Sequence, residues 1–93
     1  MTRADVVDII AARTGLSKSE TDEVIRGFLD TVSEALVRGE SVELRGFGTF
    51  KVVERAPRTA RKPRTNETVS LPARSVPVLK FSKDLRTRVS DPG

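Results

Sequence analysis

Residues 42–64 read VELRGFGTFKVVERAPRTARKPR, and the chain changes character twice within them. Val42 and Leu44 alternate with Glu43 and Arg45, the period of a half-buried strand. Gly46-Phe47-Gly48 interrupts the alternation, and Phe50 and Val52 resume it against Thr49 and Lys51. Two glycines around one phenylalanine fit a plain β-turn, or a tight strand-to-strand turn whose backbone approaches something closely. Beyond Glu54 the apolar period stops. Arg55, Arg58 and Arg61 recur every third residue, followed by Lys62 and Arg64, with Pro57 and Pro63 between them. Over residues 54–75 the only sizeable apolar side chains are Val69 and Leu71. Such a segment cannot bury a core, and loops beyond about 12–15 residues are usually functional or disordered. It is a disordered loop or a projecting hairpin arm. Thr65-Asn66-Glu67 is the expected tip, because Asn tolerates positive φ. About ten residues a side at ~3.3 Å each would reach on the order of 30 Å, enough to wrap part of a nucleic-acid duplex.

Upstream, the period is that of helices. Thr2 and Asp5 have capping-box spacing before a helix over residues 3–14, which Gly15 stops. Ser17 and Glu20 repeat the spacing before a second helix that ends at Gly39. Val24, Ile25, Phe28, Leu29, Val32, Ala35 and Leu36 give this helix a broad stripe of period 3.6. The two form an αα-hairpin. Downstream of the arm, Val76, Val78, Leu79 and Phe81 return to strand character, with Pro77 marking an edge or a bulge. Ser82 opens a short last helix on which Leu85 and Val89 share a face. Residues 90–93, Ser-Asp-Pro-Gly, are an expected frayed end.

The 93 residues carry 17 Lys+Arg against 13 Asp+Glu, a net +4 that is unevenly spread. Residues 1–40 hold five bases and eight acids, a net of −3, whereas residues 55–75 hold six bases against Glu67 alone, a net of +5. A basic stretch can be merely solvated; its functional reading is a polyanion-binding element, most simply for nucleic acid. The absence of Cys excludes disulfides and thiolate metal sites, and the absence of His removes the commonest general base and metal ligand. No Gly-rich phosphate loop followed by Lys-Ser/Thr is present. Pairs such as Asp5/Asp8 and Asp22/Glu23 are expected on solvated helix surfaces, so no catalytic residue, metal or cofactor is assigned. No apolar run approaches the ~18 residues of a membrane span, nor is the N-terminus a secretory signal; the expectation is a soluble, cytoplasmic chain without a small-molecule substrate.

The expected fold class is α+β, as one domain over residues 1–93. A helical base (1–40) precedes strands at 41–54 and 76–81, which form a three-stranded antiparallel sheet. An arm (55–75) extends from the sheet, and a C-terminal helix (82–90) follows. The stripe on the second helix is wider than one small sheet needs. A symmetric dimer sharing both second helices and both Phe clusters would bury the excess; the alternative is a marginal monomer. A two-stranded ribbon can enter a DNA groove, and guanidinium groups suit phosphates and narrow minor grooves. Pro63 is either a simple turn former or a rigid ring able to wedge between base pairs.

At this point residues 42–64 resemble the bacterial HU/IHF family of DNA-bending proteins. They carry its Gly-Phe-Gly-x-Phe element (Gly46 to Phe50), its arginine-rich stretch and its proline near the arm tip. The likeness continues through Leu71-Pro72-Ala73, Val76-Pro77 and Lys80-x-x-Lys83-x-Leu85, and through Gly15-Leu16-Ser17-Lys18 at the helical corner. The resemblance implies an intertwined dimer, homodimer or heterodimer, that binds double-stranded DNA in the minor groove, largely without sequence specificity, and organises the nucleoid. Pro63 would intercalate; HU and IHF are themselves known minor-groove architectural proteins of this kind. Arg55, Arg58, Arg61, Lys62, Arg64 and Arg74 would follow the groove. Gly46 and Gly48 would let backbone N–H groups approach phosphates, and Arg3, Lys80, Lys83 and Arg86 would hold flanking DNA. Val24, Phe28, Leu29, Val32, Leu36, Leu44, Phe47 and Phe50 would form the dimer core. The chain departs from the family pattern at Asn66, in place of a glycine, and at Phe81-Ser82, in place of Pro-Gly. Arg55 to Thr59 and Asp84-Leu85-Arg86 lean toward a site-specific IHF subunit. A basic scaffold module gripping an acidic protein is the reading from a different class, which saturable duplex binding would exclude.

Overall fold

The computed structural model describes residues 1–91; Pro92 and Gly93, half of the tail expected to fray, lie outside the described residues. The chain divides into two compact units, Met1–Ala35 and Leu36 onward.

The first unit is the helical hairpin. Helix α1 runs Arg3–Thr14 and α2 runs Lys18–Val37, its last residues entering the second unit. Both capping boxes form. Thr2 N–H donates to the Asp5 carboxylate at 2.8 Å while Asp5 N–H reaches Thr2 Oγ1 at 3.4 Å. Ser17 N–H donates to Glu20 Oε1 at 3.1 Å and Glu20 N–H to Ser17 Oγ at 3.0 Å. Bonds from Ser17, its side chain first and its backbone second, hold the Glu20 carboxyl below its ordinary value. Gly15 closes α1 at φ 79°, where a side chain would be strained. Val7, Ala11, Val32, Ala35 and Thr21 are buried. Thr21 is only 1% exposed and its hydroxyl donates to Ser17 O, so burial leaves it satisfied. The expected apolar stripe splits: Val32 lies in the core, while Val24, Phe28 and Leu29 are 64%, 43% and 46% exposed.

The second unit is a three-stranded antiparallel sheet, a two-stranded ribbon and a helix. Strands β1 (Val42–Leu44), β2 (Gly48–Arg55) and β5 (Arg74–Phe81) form the sheet in the order β1-β2-β5. Strands β3 (Arg58–Arg61) and β4 (Thr68–Leu71) form the ribbon, and α3 (Lys83–Ser90) is the last element, with Asp91 at its C-cap. The fold class is as expected, with both strands running further into the arm than expected: β2 ends at Arg55, not at residue 54. Strand β5 begins at Arg74, not at residue 76, because Arg74 and Ser75 pair with Arg55 and Glu54. Polarity along the sequence marks burial, and backbone pairing runs on beyond it.

The β1–β2 turn is closed by Phe47 N–H on Leu44 O at 2.9 Å. Gly46 occupies its third position at φ 85°, the requirement of a type II turn. Gly48 is glycine for another reason. It is buried opposite Phe81, and a Cβ there would sit 2.6 Å from Lys80 O and 3.0 Å from Phe81 Cα. Both neighbours are strand backbone and cannot step aside. Gly48→Ala is therefore expected to cost about 1–3 kcal/mol as an overpacked site, read as a lowered urea midpoint. An unchanged midpoint would mean that β5 yields. Phe81, the departure from the family pattern, packs edge-on against Phe47 with centroids 5.7 Å apart at 80°. Ser82 caps α3 through Leu85 N–H and donates its own hydroxyl to Gly46 O at 3.0 Å, tying helix to turn. Leu36, Leu44 and Phe50 are half-buried, and Phe47 is exposed.

Candidate nucleic-acid interface

Residues 55–75 form an ordered hairpin. Its rungs are Arg58–Leu71, Thr59–Ser70, Ala60–Val69 and Arg61–Thr68. Lys62 N–H donates to Glu67 O at 2.9 Å, and Asn66 N–H to Lys62 O at 2.8 Å. Pro63, Arg64, Thr65 and Asn66 are thus the tip. The expected tip, Thr65-Asn66-Glu67, is shifted, because the Lys62–Glu67 bond makes Glu67 part of a rung. Asn66 takes the left-handed turn at φ 62°, as its tolerance of that region predicts. Apart from the half-buried Val69 and Leu71, every residue from Glu54 to Ser75 is exposed.

The ladder has a break that polarity alone does not reveal. All pairs from Gly48–Phe81 to Arg61–Thr68 share one register, yet Ala56-Pro57 and Pro72-Ala73 face each other unpaired. In an uninterrupted antiparallel ladder, hydrogen-bonded pairs recur every second residue. Ser82 N–H donates to Phe47 O and Lys62 N–H to Glu67 O; residues 47 and 62 have opposite parity, so the phase reverses between them. Continued from the sheet, the pattern would make Pro57–Pro72 a bonded pair, and neither ring has an N–H to give. Pairing therefore stops at Arg55–Arg74 and restarts at Arg58–Leu71. By the same phase Pro77, on edge strand β5, sits in a non-bonded pair with Val52 and costs the ladder nothing.

Charge follows this frame. Arg55, Arg58, Arg61, Lys62, Arg64 and Arg74 make no ion pair among the described residues. In the same unit a shallow hollow is lined by Lys80, Lys83 and Arg86 with Gly46, Gly48 and Ser82. Arg45 lines it too. The strand alternation marked Arg45 only as polar; its place beside Gly46 in the turn is the signal that could have included it. Arg3 lies in the helical unit, where its Nε is 3.3 Å from Asp22. Asp22 also takes Arg26, and Asp8 takes Lys18, each at 3.3 Å, so these acids are ion-paired as well as solvated. No group of three or more metal-ligating side chains occurs among the described residues. No helix among the described residues is long and apolar enough to cross a membrane.

A family model described as "Bacterial DNA-binding protein" matches residues 1–90, across both units. DNA-binding protein HU of Clostridium pasteurianum is 39% identical over 90 residues, covering 97% of this chain and 99% of that one. Integration host factor subunit beta of Marinobacter nauticus is 39% identical over 92 residues, covering 98% and 94%. The HU chain of an Anabaena HU–DNA cocrystal structure superposes with a TM-score of 0.90 at 37% identity, over 99% of this chain and 100% of that one.

Proposed function

The chain belongs to the bacterial HU/IHF family of DNA-binding architectural proteins, and from that membership we propose that two copies form an intertwined dimer whose arms grip the minor groove and bend the duplex. The observation that carries this reading is the arm itself. It is an ordered ribbon whose cations make no ion pair among the described residues, with Pro63 in the turn at its end.

Arg55, Arg58, Arg61, Lys62, Arg64 and Arg74 neutralise phosphates along the groove, and each contact releases condensed counterions. The Pro63 ring enters a base step; unstacking costs a few kcal/mol and the bend returns more contact, as is known for this class of protein. Arg45, Lys80, Lys83 and Arg86 hold flanking DNA, with Gly46 keeping the turn free of a side chain. Arg3 joins by exchanging Asp22 for a phosphate. The exposed Val24, Phe28 and Leu29 on α2 supply the surface for a second chain. Binding with little sequence selectivity follows from the groove proposed, because the minor groove presents only a degenerate pattern of donors and acceptors. Its role is nucleoid organisation in the cytoplasm.

The test is duplex binding against salt. Affinity is expected to fall linearly on a log–log plot with a slope near −0.9 per phosphate contacted; a flat line would overturn the reading. Bending has its own test. Energy transfer between the ends of a short duplex is expected to drop with Pro63→Ala while binding persists, and equal transfer would remove Pro63 as the wedge.

A further inference from the structure

The arm base carries charge in an arrangement that gripping DNA does not by itself explain. Arg55 and Arg74 stand directly opposite each other on the last rung before the proline break. Opposed residues bring their Cβ atoms to within about 5.5 Å of each other, and like charges so placed weaken a rung. Both side chains are exposed, and neither has an ion-pair partner among the described residues. The neighbouring acid, Glu54, accepts a hydrogen bond from Ser75 Oγ across the same strand pair. Arg58 opens the next strand, and the three arginines line one hollow of about 640 Å³ with Pro57, Leu71 and Pro72. The last rung of the sheet, with two like charges opposed, thus borders a concave cluster of three guanidinium groups.

Resting on the DNA-binding reading, we propose that this hollow binds a phosphate-class oxyanion, either a duplex phosphodiester or free pyrophosphate, and that the bound anion staples the arm to the sheet. The guanidinium fork matches phosphate oxygens in pairs. An anion between Arg55 and Arg74 turns their repulsion into a bridge, and Arg58 carries that bridge across the proline break. Without the anion the ribbon opens at Ala56-Pro57 and Pro72-Ala73; with it, sheet and arm open together. No covalent step is involved.

Amide hydrogen exchange on the full chain tests this, read at Ala60 and Lys62 of the arm with two probes, pyrophosphate and a short DNA duplex. Pyrophosphate alone is expected to slow exchange there roughly two- to fivefold, the range set by one opposed charge pair. Arg74→Glu, which places an acid opposite Arg55, is expected to show that protection without any anion and to gain nothing from pyrophosphate. Arg74→Gln is a milder change at the same exposed position and is expected to lose the response as well. Arg13→Gln, the same loss of charge in the helical unit, is expected to keep it. If pyrophosphate leaves the arm unchanged while the duplex still binds and protects it, the staple is wrong and the DNA-binding reading stands. If the duplex does not bind but pyrophosphate acts through Arg74, the anion site stands and its source is not DNA. An Arg74→Gln chain that responds like the wild type also overturns the inference.

Discussion

Replacing Arg55, Arg58 and Arg61 together by glutamine is expected to lower the log–log salt slope of duplex binding by about 2.7 for each arm, and so by about 5 when a dimer engages both. Referred to 1 M salt, where counterion release contributes nothing, the loss at 0.1 M with both arms engaged is on the order of 10⁵-fold. The arm should remain folded, because all three side chains are exposed and no described ion pair is lost. Arm folding is checked by the exchange of the Lys62 amide, and affinity by a salt titration of fluorescence anisotropy. An unchanged slope would mean that these arginines do not meet phosphates, and would move the interface to the Arg45, Lys80, Lys83 and Arg86 hollow.

Phe28→Asp is expected to abolish the proposed dimer and with it the fold. Phe28 is 43% exposed on α2, between Val24 and Val32. If a second chain covers it, the substitution forfeits about 1.5–3 kcal/mol of apolar burial and demands that a carboxylate be buried or protonated, once per chain. A small domain holds only about 5–15 kcal/mol in total. Sedimentation should find monomer, and far-UV circular dichroism should find lost helix. Phe28→Leu, similar in character, should preserve both. For the wild type, a tenfold rise in concentration should add about 1.4 kcal/mol of apparent stability. A soluble, fully helical Phe28→Asp chain would place this face in solvent and refute the shared core.

Much of this was legible in the residues because the signals are local. Thr2 with Asp5, and Ser17 with Glu20, are each within one helical turn, so the capping boxes could be read as spacings. Gly15 and Asn66 are single-residue statements about positive φ. The run from Arg55 to Arg64 is too polar for a core wherever it lies. The misreadings were non-local. The strand after the arm begins two residues early and the tip is displaced, because both depend on which residue lies across the ladder.

Sequence alone therefore determined the order of elements, the separation of an acidic helical base from a basic arm, and the family. Capping, periodicity and charge density act between near neighbours along the chain. Only the tertiary structure decided that Gly48 is glycine because of Lys80 O, that Arg3 is held by Asp22, and that Arg55 meets Arg74 at a break made by facing prolines. Each of those is a contact between residues far apart in the chain. Such contacts exist only once strand register or helix packing has chosen the partners, and no property of either residue alone contains that choice.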